Sequence, residues 1–129
     1  MEKTLTIDGK QIRFKSSAGI GYRYYNQFGT EYIADMMKLE EFIKTTNIVT
    51  TEITDTYGNK KPVKTIQGDY SKLNTQVMYN IVWVLAKTAD NTIPDPMTWY
   101  DSFNYFDISA VFKELQELIS ANNKSASKN

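Results

Sequence analysis

The stretch from Tyr70 to Ala89, YSKLNTQVMYNIVWVLAKTA, decides the fold that the sequence predicts. Its apolar residues recur at helical spacing along two adjacent stripes, and its C-terminal half is apolar on nearly every side. The two stripes contain Tyr70, Leu73, Val77, Ile81 and Val84, and Met78, Val82, Leu85 and Ala89. A helix of this kind must be surrounded, because each large side chain left in water forfeits about 1.5–3 kcal/mol. We therefore predict that this stretch is the central helix.

The composition is that of one ordinary globular domain. Of the 129 residues, 41% are hydrophobic, and 15 Lys and Arg balance 15 Asp and Glu. This balance gives no overall field that would favour nucleic acid or an anionic membrane. The chain has no Cys and no His, which removes thiol nucleophiles, the commonest general base and the usual zinc ligand. We expect no cofactor, no metal site, no catalytic residue and no enzymatic activity.

The domain organisation and location follow from the same survey. We predict a single helical domain over residues 1–121 and a disordered polar tail over 122–129. The opening sequence MEKTLTIDGK lacks the apolar run of a signal peptide, and no segment approaches the ~20 apolar residues of a membrane span. We expect the protein to work in a cytoplasm.

A β-hairpin is predicted from Thr4 to Lys15. Asp8-Gly9 is the favoured two-residue type I′ turn, because both positions need a positive φ. This turn places Leu5 opposite Ile12 and puts four apolar residues on one face, namely Leu5, Ile7, Ile12 and Phe14. A lone hairpin is marginally stable in water, so this face is expected to pack against helices.

Four more helices are predicted around these two elements. The first begins after a cap at Ser16-Ser17 and ends at Phe28, with Gly29 after it. The second follows a cap at Thr30 and runs from Glu31 to Lys44. The third is a short helix after Asp95-Pro96, and the fourth is capped by Asp107 and runs from Ile108 to about Ala121. For the first of these helices, the predicted core face contains Ala18, Gly21, Tyr22, Tyr25 and Phe28, with Ile20 and Tyr24 flanking it. Gly19 and Gly21 indicate the close approach of another backbone.

Residues 45–69 depart from the helical pattern. Tyr57-Gly58-Asn59 indicates a turn, and Pro62 is incompatible with a helix around it. Two alternatives remain open, a second hairpin with strands near 48–54 and 63–66, or a mobile loop. The complete prediction is a mainly α (α+β) fold, a small helical bundle around the central helix with an N-terminal β-hairpin and this excursion.

The aromatic side chains are the most informative candidates for function. They make up 13% of the chain, and core packing is the simplest account of them. Neighbours on a helix point about 100° apart, however, so adjacent pairs of rings cannot share one buried stripe. Exposed Tyr and Trp are typical anchors of protein interfaces. The predicted partner-binding residues are Tyr24, Met37, Tyr79, Trp83, Trp99 and Tyr100; the alternative is that the other helices cover Tyr79 and Trp83.

The order of several short motifs resembles a known family. The motifs are the TLTIDGK hairpin, Gln27-Phe28-Gly29, the sequence AKTAD at 86–90 and TIPDPMTWYDSF at 92–103. Over about 4–41 and 78–119 the chain resembles the tail assembly chaperones of long-tailed phages and prophages of Gram-positive bacteria. Residues 45–69 differ from the family, whose members are shorter and more acidic there.

The resemblance implies a non-enzymatic helper in the host cytoplasm. Such chaperones coat the helical tape measure protein and bring tail tube subunits to it, and they are not expected in the mature virion. Self-association is left open. The alternative is a structural virion component, such as a tail or head–tail completion protein, which would be present in purified particles. A small enzyme that uses carboxylates or Tyr is a third class, disfavoured by the missing His and Cys.

Overall fold

The computed structural model describes residues 1–44, 47–67 and 74–120, which form an α+β fold with two small antiparallel sheets. The elements are β1 (Glu2–Ile7), β2 (Lys10–Lys15), α1 (Ile20–Phe28), α2 (Tyr32–Lys44), β3 (Asn47–Thr54), β4 (Lys60–Gln67), α3 (Thr75–Ala89), α4 (Pro96–Asp101) and α5 (Ile108–Glu114), followed by a helical turn at 116–120. The predicted polar tail at 122–129 and the predicted helical residues 70–73 lie outside the described residues.

The helix α3 is buried along most of its length. Asn74 caps it by accepting a hydrogen bond from the backbone N–H of Val77. Six consecutive residues, 81–86, are buried, so the helix has no solvent face over this stretch. The elements β2, α1, α2 and α5 contact it. The predicted all-round burial of the C-terminal half of this helix is confirmed.

The strands β1 and β2 pair with the register that the Asp8-Gly9 turn predicts. Leu5 lies opposite Ile12, and Ile7 lies opposite Lys10. Asp8 and Gly9 both have a positive φ, 52° and 74°. On the inner face Ile7 and Phe14 are buried, while Leu5 and Ile12 are half-buried against the core.

The start of α1 differs from the prediction. The helix begins at Ile20, not after a cap at Ser16-Ser17, because the N–H of Ile20 donates to the carbonyl of Ser17 and Gly19 occupies the N-cap position without a side-chain bond. A Cβ added at Gly21 would meet no described atom within 4 Å, so the predicted close backbone approach is also wrong. The end is as predicted, with Gly29 at φ 73°.

The core face of α1 differs as well. Ile20 and Tyr24 are buried and Phe28 packs against the core, whereas Tyr25 is exposed and Tyr22 is 79% exposed. The three inward residues are spaced by four, so they form one stripe on a different side of the helix from the predicted one. The core-facing assignment of Tyr22 and Tyr25 is therefore wrong.

Two predicted caps are confirmed near the C-terminus. The carboxylate of Asp95 accepts from the N–H of Thr98, with Pro96 in the first turn, and the carboxylate of Asp107 accepts from the N–H of Ala110. The last helix is shorter than predicted, since α5 ends at Glu114. Leu115 interrupts it before the turn at 116–120.

The excursion contains a second hairpin, so the mobile-loop alternative is wrong for residues 47–67. Strands β3 and β4 pair antiparallel from Thr54 opposite Lys60 outward. The carboxylate of Asp55 accepts from the N–H groups of Tyr57 and Asn59, and Gly58 adopts φ 83°. Between residues 49 and 65, side chains on both faces of this ribbon are largely exposed.

None of the helices in the described ranges combines the length and the apolar character that crossing a membrane requires.

Replacement of Ile81 by Ala is expected to lower the free energy of unfolding by about 2–5 kcal/mol, because Ile81 is fully buried on α3. Ile33→Ala on α2 is the matched control, since Ile33 is 59% exposed and its loss should stay within about 0.5 kcal/mol. Urea denaturation of both variants measures the difference. Equal effects would contradict the central position of α3.

Candidate protein-binding groove

The six residues predicted to bind a partner do not form one exposed surface. Tyr24, Trp83 and Trp99 are buried, Tyr79 and Tyr100 are half-buried, and Met37 is 60% exposed on α2. The predicted surface position of the first three is therefore wrong. For Trp83 the alternative, burial by the other helices, is confirmed. That these residues bind a partner stays a prediction.

Tyr24 is buried because α1 is covered by two helices on the side of this ring. Its ring packs 4.8 Å from the Phe28 ring and 5.3 Å, edge-on, from the Tyr32 ring. Phe28 in turn lies edge-on to Trp83 at 5.6 Å. The adjacent-ring argument was right that one member of the Tyr24-Tyr25 pair reaches water, but the exposed member is Tyr25.

Trp83 is buried with its polar atom satisfied. Its indole Nε1 donates to the carbonyl of Pro94 at 2.9 Å, so full burial leaves no unpaired donor. This bond fixes the loop after α3. Lys87 reinforces the same loop by donating to the carbonyls of Asn91 and Ile93.

Trp99 is buried in an aromatic cluster between α3, α4 and the segment that follows α4. Its ring lies 5.3 Å from Phe103 and 5.8 Å from Phe106. Tyr100 packs edge-on against Tyr79 at 4.9 Å, and its hydroxyl donates to the backbone carbonyl of Tyr79 at 2.6 Å. Burial raises the pKa of Tyr100 above its ordinary range. The phenol is therefore a neutral donor that ties α4 to α3.

The N-terminal hairpin turn closes over the end of this cluster. The ammonium of Lys10 lies 4.8 Å from the centre of the Phe103 ring and donates to the carbonyl of Ser102. The carboxylate of Asp8 accepts from the N–H of Asn104. The cluster is thus capped by polar contacts to the backbone that follows α4.

A groove runs over the surface between α1 on one side and α3 and α4 on the other. It consists of two adjoining depressions of about 490 and 580 Å³ that share Gln27. We call this surface the α1–α4 groove. Its lining residues include Tyr22, Trp83 and Lys87 in the first depression and Phe28, Tyr79, Met97 and Tyr100 in the second.

The two depressions of the α1–α4 groove carry charged groups of opposite sign. Arg23 and Lys87 line the first depression, where the Arg23 guanidinium donates to the carbonyl of Lys87 at 3.2 Å. Asp95 lines the second, next to Met97. Hydrogen bonds from the Thr98 side chain and backbone hold the pKa of Asp95 below its usual range, so the second depression carries a negative charge.

The groove contains residues that the sequence prediction missed. Tyr22 was assigned to the core, yet it is 79% exposed on one wall, and Met97 is 70% exposed on the other. The signal for Tyr22 was present in the four-residue spacing from Ile20 to Tyr24 and Phe28, which turns Tyr22 outward. Of the six predicted residues, Tyr79, Trp83 and Tyr100 line the groove, whereas Met37 does not.

Asp35 is the one charged side chain buried in the described part of the chain. Its carboxylate accepts from the Tyr24 hydroxyl at 2.7 Å, the Thr30 hydroxyl at 2.8 Å and the Lys38 ammonium at 3.2 Å. Burial opposes ionisation, but these donors outweigh it and hold the pKa of Asp35 below its usual range. Burial and the neighbouring carboxylate raise the pKa of Tyr24. Asp35 is thus a buried carboxylate whose charge is balanced by Lys38 within α2, and its hydrogen bond from the Tyr24 hydroxyl fastens α1 to α2.

The described residues contain no group of three or more Asp or Glu that could hold a metal ion. Comparison of the chain with protein-family models, with curated proteins and with solved structures finds no significant match. The family resemblance therefore rests on the order of the sequence motifs alone.

Two buried tyrosines allow a matched test of the Asp35 network. Tyr24→Phe removes a donor to a buried carboxylate and should cost about 1.5–3 kcal/mol of unfolding free energy. Tyr32→Phe should be neutral or stabilising, because the buried Tyr32 hydroxyl has no hydrogen-bond partner among the described residues. Chemical denaturation of both variants measures the difference, and an equal loss would contradict the role of the Tyr24 hydroxyl.

The same network predicts a pH dependence. Because the folded-state pKa of Asp35 is lowered, its carboxylate stabilises the fold above the unfolded-state value of about 4. That contribution is lost as the pH falls through the folded pKa. Asp35→Asn should therefore be less stable at pH 7 and lose less stability between about pH 5 and 2. Urea midpoints across this range test it, and parallel profiles for both proteins would contradict it.

Proposed function

We propose that this protein is a tail assembly chaperone of a long-tailed phage or prophage, which binds the tape measure protein and helps recruit tail tube subunits in the host cytoplasm. The proposal rests on the order of the motifs that resemble the family. The α1–α4 groove is the structural observation that supports it most directly, because it offers exposed aromatic and Met side chains to a partner.

The groove suits an amphipathic helix. The wall formed by α1 runs from Gly19 to Phe28, which spans roughly 15 Å at 1.5 Å per residue. This length matches about three turns of a client helix, whose apolar residues at i, i+3, i+4 and i+7 would face the groove. Met97 and the edges of Tyr79 and Tyr100 would contact that stripe.

The composition of the groove suits many similar segments rather than one sequence. Met repacks at low cost because its side chain is unbranched and flexible, and such surfaces are typical of binders with several related partners. A tape measure protein presents many related helical stripes, so a tolerant groove fits this class of client.

The charges in the groove favour one direction for the bound helix. The carbonyl end of a helix carries a partial negative charge, and its N–H end a partial positive charge. Arg23 and Lys87 would attract the C-terminal end, and Asp95 would attract the N-terminal end. Arg23 would attract Glu or Asp in the last turn of a client helix. Replacement of Arg23 by an acidic residue would therefore weaken the binding of such helices.

Co-expression with the tape measure protein encoded in the same gene cluster tests the proposal. Tyr22→Ala with Met97→Ala removes two exposed groove side chains without touching the core, and it should reduce the yield of soluble complex at least about tenfold while the circular dichroism spectrum stays native. Tyr24→Ala and Trp99→Ala are unsuitable for this purpose, because both residues are buried and their loss would cost about 3–5 kcal/mol.

Met37→Ala with Tyr57→Ala is the matched control, since both side chains are exposed and lie outside the groove. This variant should keep the client soluble. Loss of complex in the control alone would move the binding surface to α2 or to the β3–β4 turn. Detection of the protein as a stoichiometric part of purified virions would favour the structural alternative instead.

A further inference from the structure

The ribbon of β3 and β4 has two outer edges that differ in chemistry. In the described part of the chain its sheet contains these two strands alone. An unpaired edge presents a row of backbone N–H and C=O groups, which is a template for another strand. An edge can pair with another strand only through backbone N–H and C=O groups that point away from the ribbon.

The turn fixes which groups point outward. The N–H of Asp55 donates to the carbonyl of Asn59 at 2.9 Å, so these two residues form a hydrogen-bonded pair. Hydrogen-bonded and non-hydrogen-bonded pairs alternate along an antiparallel ladder. The non-hydrogen-bonded pairs, whose N–H and C=O groups point out of the ribbon, are therefore Thr54 with Lys60, Glu52 with Pro62 and Thr50 with Lys64.

The outer edge of β4 is protected against pairing. Pro62 lacks the N–H that would point outward at the middle of this edge, and Lys60 and Lys64 flank it. Proline and lysine on an edge strand are the usual devices that prevent edge-to-edge association. The outer edge of β3 has no proline and keeps its outward N–H groups at Thr50, Glu52 and Thr54.

We propose that two copies of this chain associate through the outer edges of β3, antiparallel and related by a two-fold axis at Thr51. The product is a four-stranded sheet with the order β4–β3–β3–β4. Thr51 lies opposite Thr51 of the partner subunit, and the outward groups of Thr50 bond those of Glu52 of the partner subunit.

The sequence of β3 selects this register. Val49 and Ile53 are symmetric about Thr51, so the axis places Val49 opposite Ile53 of the partner subunit, an apolar cross-strand pair. A shift of the two-fold axis by one residue, from Thr51 to Glu52, puts Glu52 opposite Glu52 of the partner subunit, where like charges repel. A shift in the other direction separates Val49 from its apolar partner.

The apolar face of the ribbon also favours a second copy. Val49, Ile53 and Val63 lie on one face, because Thr51 is opposite Val63 and Ile53 is opposite Lys61. Ile53 is 54% exposed. An isolated two-stranded ribbon is marginally stable in water, and three or more strands with an apolar face are needed for independent stability. Dimerisation joins the apolar faces of two ribbons across the axis.

A second copy is a better occupant than an unrelated strand. The symmetric placement of Val49 and Ile53 about Thr51 serves a partner with the same sequence in the opposite direction. A strand from another protein would need no such symmetry. The interface is isologous, so it closes at two copies and does not propagate.

Engineered cysteines test the register directly, because the chain has no Cys of its own. In the dimer Thr51 faces its counterpart in a non-hydrogen-bonded pair, with Cα atoms about 4.5 Å apart, which is within disulfide range. Thr51→Cys should therefore give a covalent dimer under mild oxidation at micromolar concentration.

Thr65→Cys is the matched control. Thr65 is exposed on the same face of the ribbon but on β4, and three strand spacings alone separate its two copies by at least about 14 Å. This variant should form disulfide dimers at least about tenfold more slowly. Equal rates for the two variants would overturn the proposal.

A second pair of variants tests the edge. Thr50 and Lys64 are cross-strand partners whose N–H groups both point outward, so proline at either position spares the bonds between β3 and β4. Thr50→Pro should raise the dimer dissociation constant about tenfold or more by sedimentation analysis. Lys64→Pro should leave it unchanged.

Three further results would overturn the proposal. The first is a wild-type chain that stays monomeric by light scattering throughout a 100-fold dilution series that starts at about millimolar concentration. The second is a Thr50→Pro variant that keeps the dimer with a native spectrum. The third is dissociation of the dimer by Lys64→Pro alone. If Thr50→Pro unfolds the ribbon, the comparison of Thr51→Cys with Thr65→Cys decides the question. Client binding in the α1–α4 groove is not involved in any of these readouts.

Discussion

The structure depends on the simultaneous burial of residues 81–86 on every side of α3. A helical segment without a solvent face requires neighbours all round, and β2, α1, α2 and α5 supply them. Trp83 is the member of this segment with a polar side-chain atom, and its bond to the Pro94 carbonyl allows it to be buried without an unpaired donor. The same bond positions the loop that leads to α4. The need to bury Trp83 with its donor paired therefore fixes the position of one wall of the α1–α4 groove.

Contacts that form part of the core fix the positions of the groove walls. Phe28 packs on Trp83, the Arg23 guanidinium bonds the Lys87 carbonyl, and the Tyr100 hydroxyl bonds the Tyr79 carbonyl. Each contact ties one wall to α3 while leaving part of an apolar side chain at the surface. A surface arranged in advance loses less conformational freedom on binding. The aromatic residues thus serve the core first and shape the groove as a consequence.

Local signals in the sequence predicted the elements that depend on local chemistry. The Asp8-Gly9 turn gave the hairpin register, and Asp95 and Asp107 cap the helices that were expected to follow them. The start of α1 was not predicted, because Ser16-Ser17 resembles a cap whereas the first helical turn begins at Ile20.

Non-local chemistry explains the remaining misses. The burial of Asp35 requires donors from Tyr24 on α1 and from Thr30 in the connection between α1 and α2, together with Lys38 one turn later on α2. Sequence spacing does not reveal that these groups converge. Of the adjacent pair Tyr24-Tyr25 one ring reaches the surface as expected, but Tyr24, the ring expected there, is buried and Tyr25 is exposed. The four-residue spacing of Ile20, Tyr24 and Phe28 is the signal in the sequence that identifies Tyr24 as the inward member.

The two proposed surfaces use different physics, and together they would act on a long client. The α1–α4 groove would bind through apolar area and tolerate sequence variation, whereas the β3 edge would bind through backbone hydrogen bonds, with register set by side-chain symmetry. The proposed dimer would carry two grooves, so a client with successive apolar stripes would engage the second groove at a high effective concentration. Such linkage raises overall affinity by about 10²–10⁴ without any new contact. A shallow groove of moderate affinity is then sufficient to coat a long helical protein, and each site can still release when a competing partner arrives.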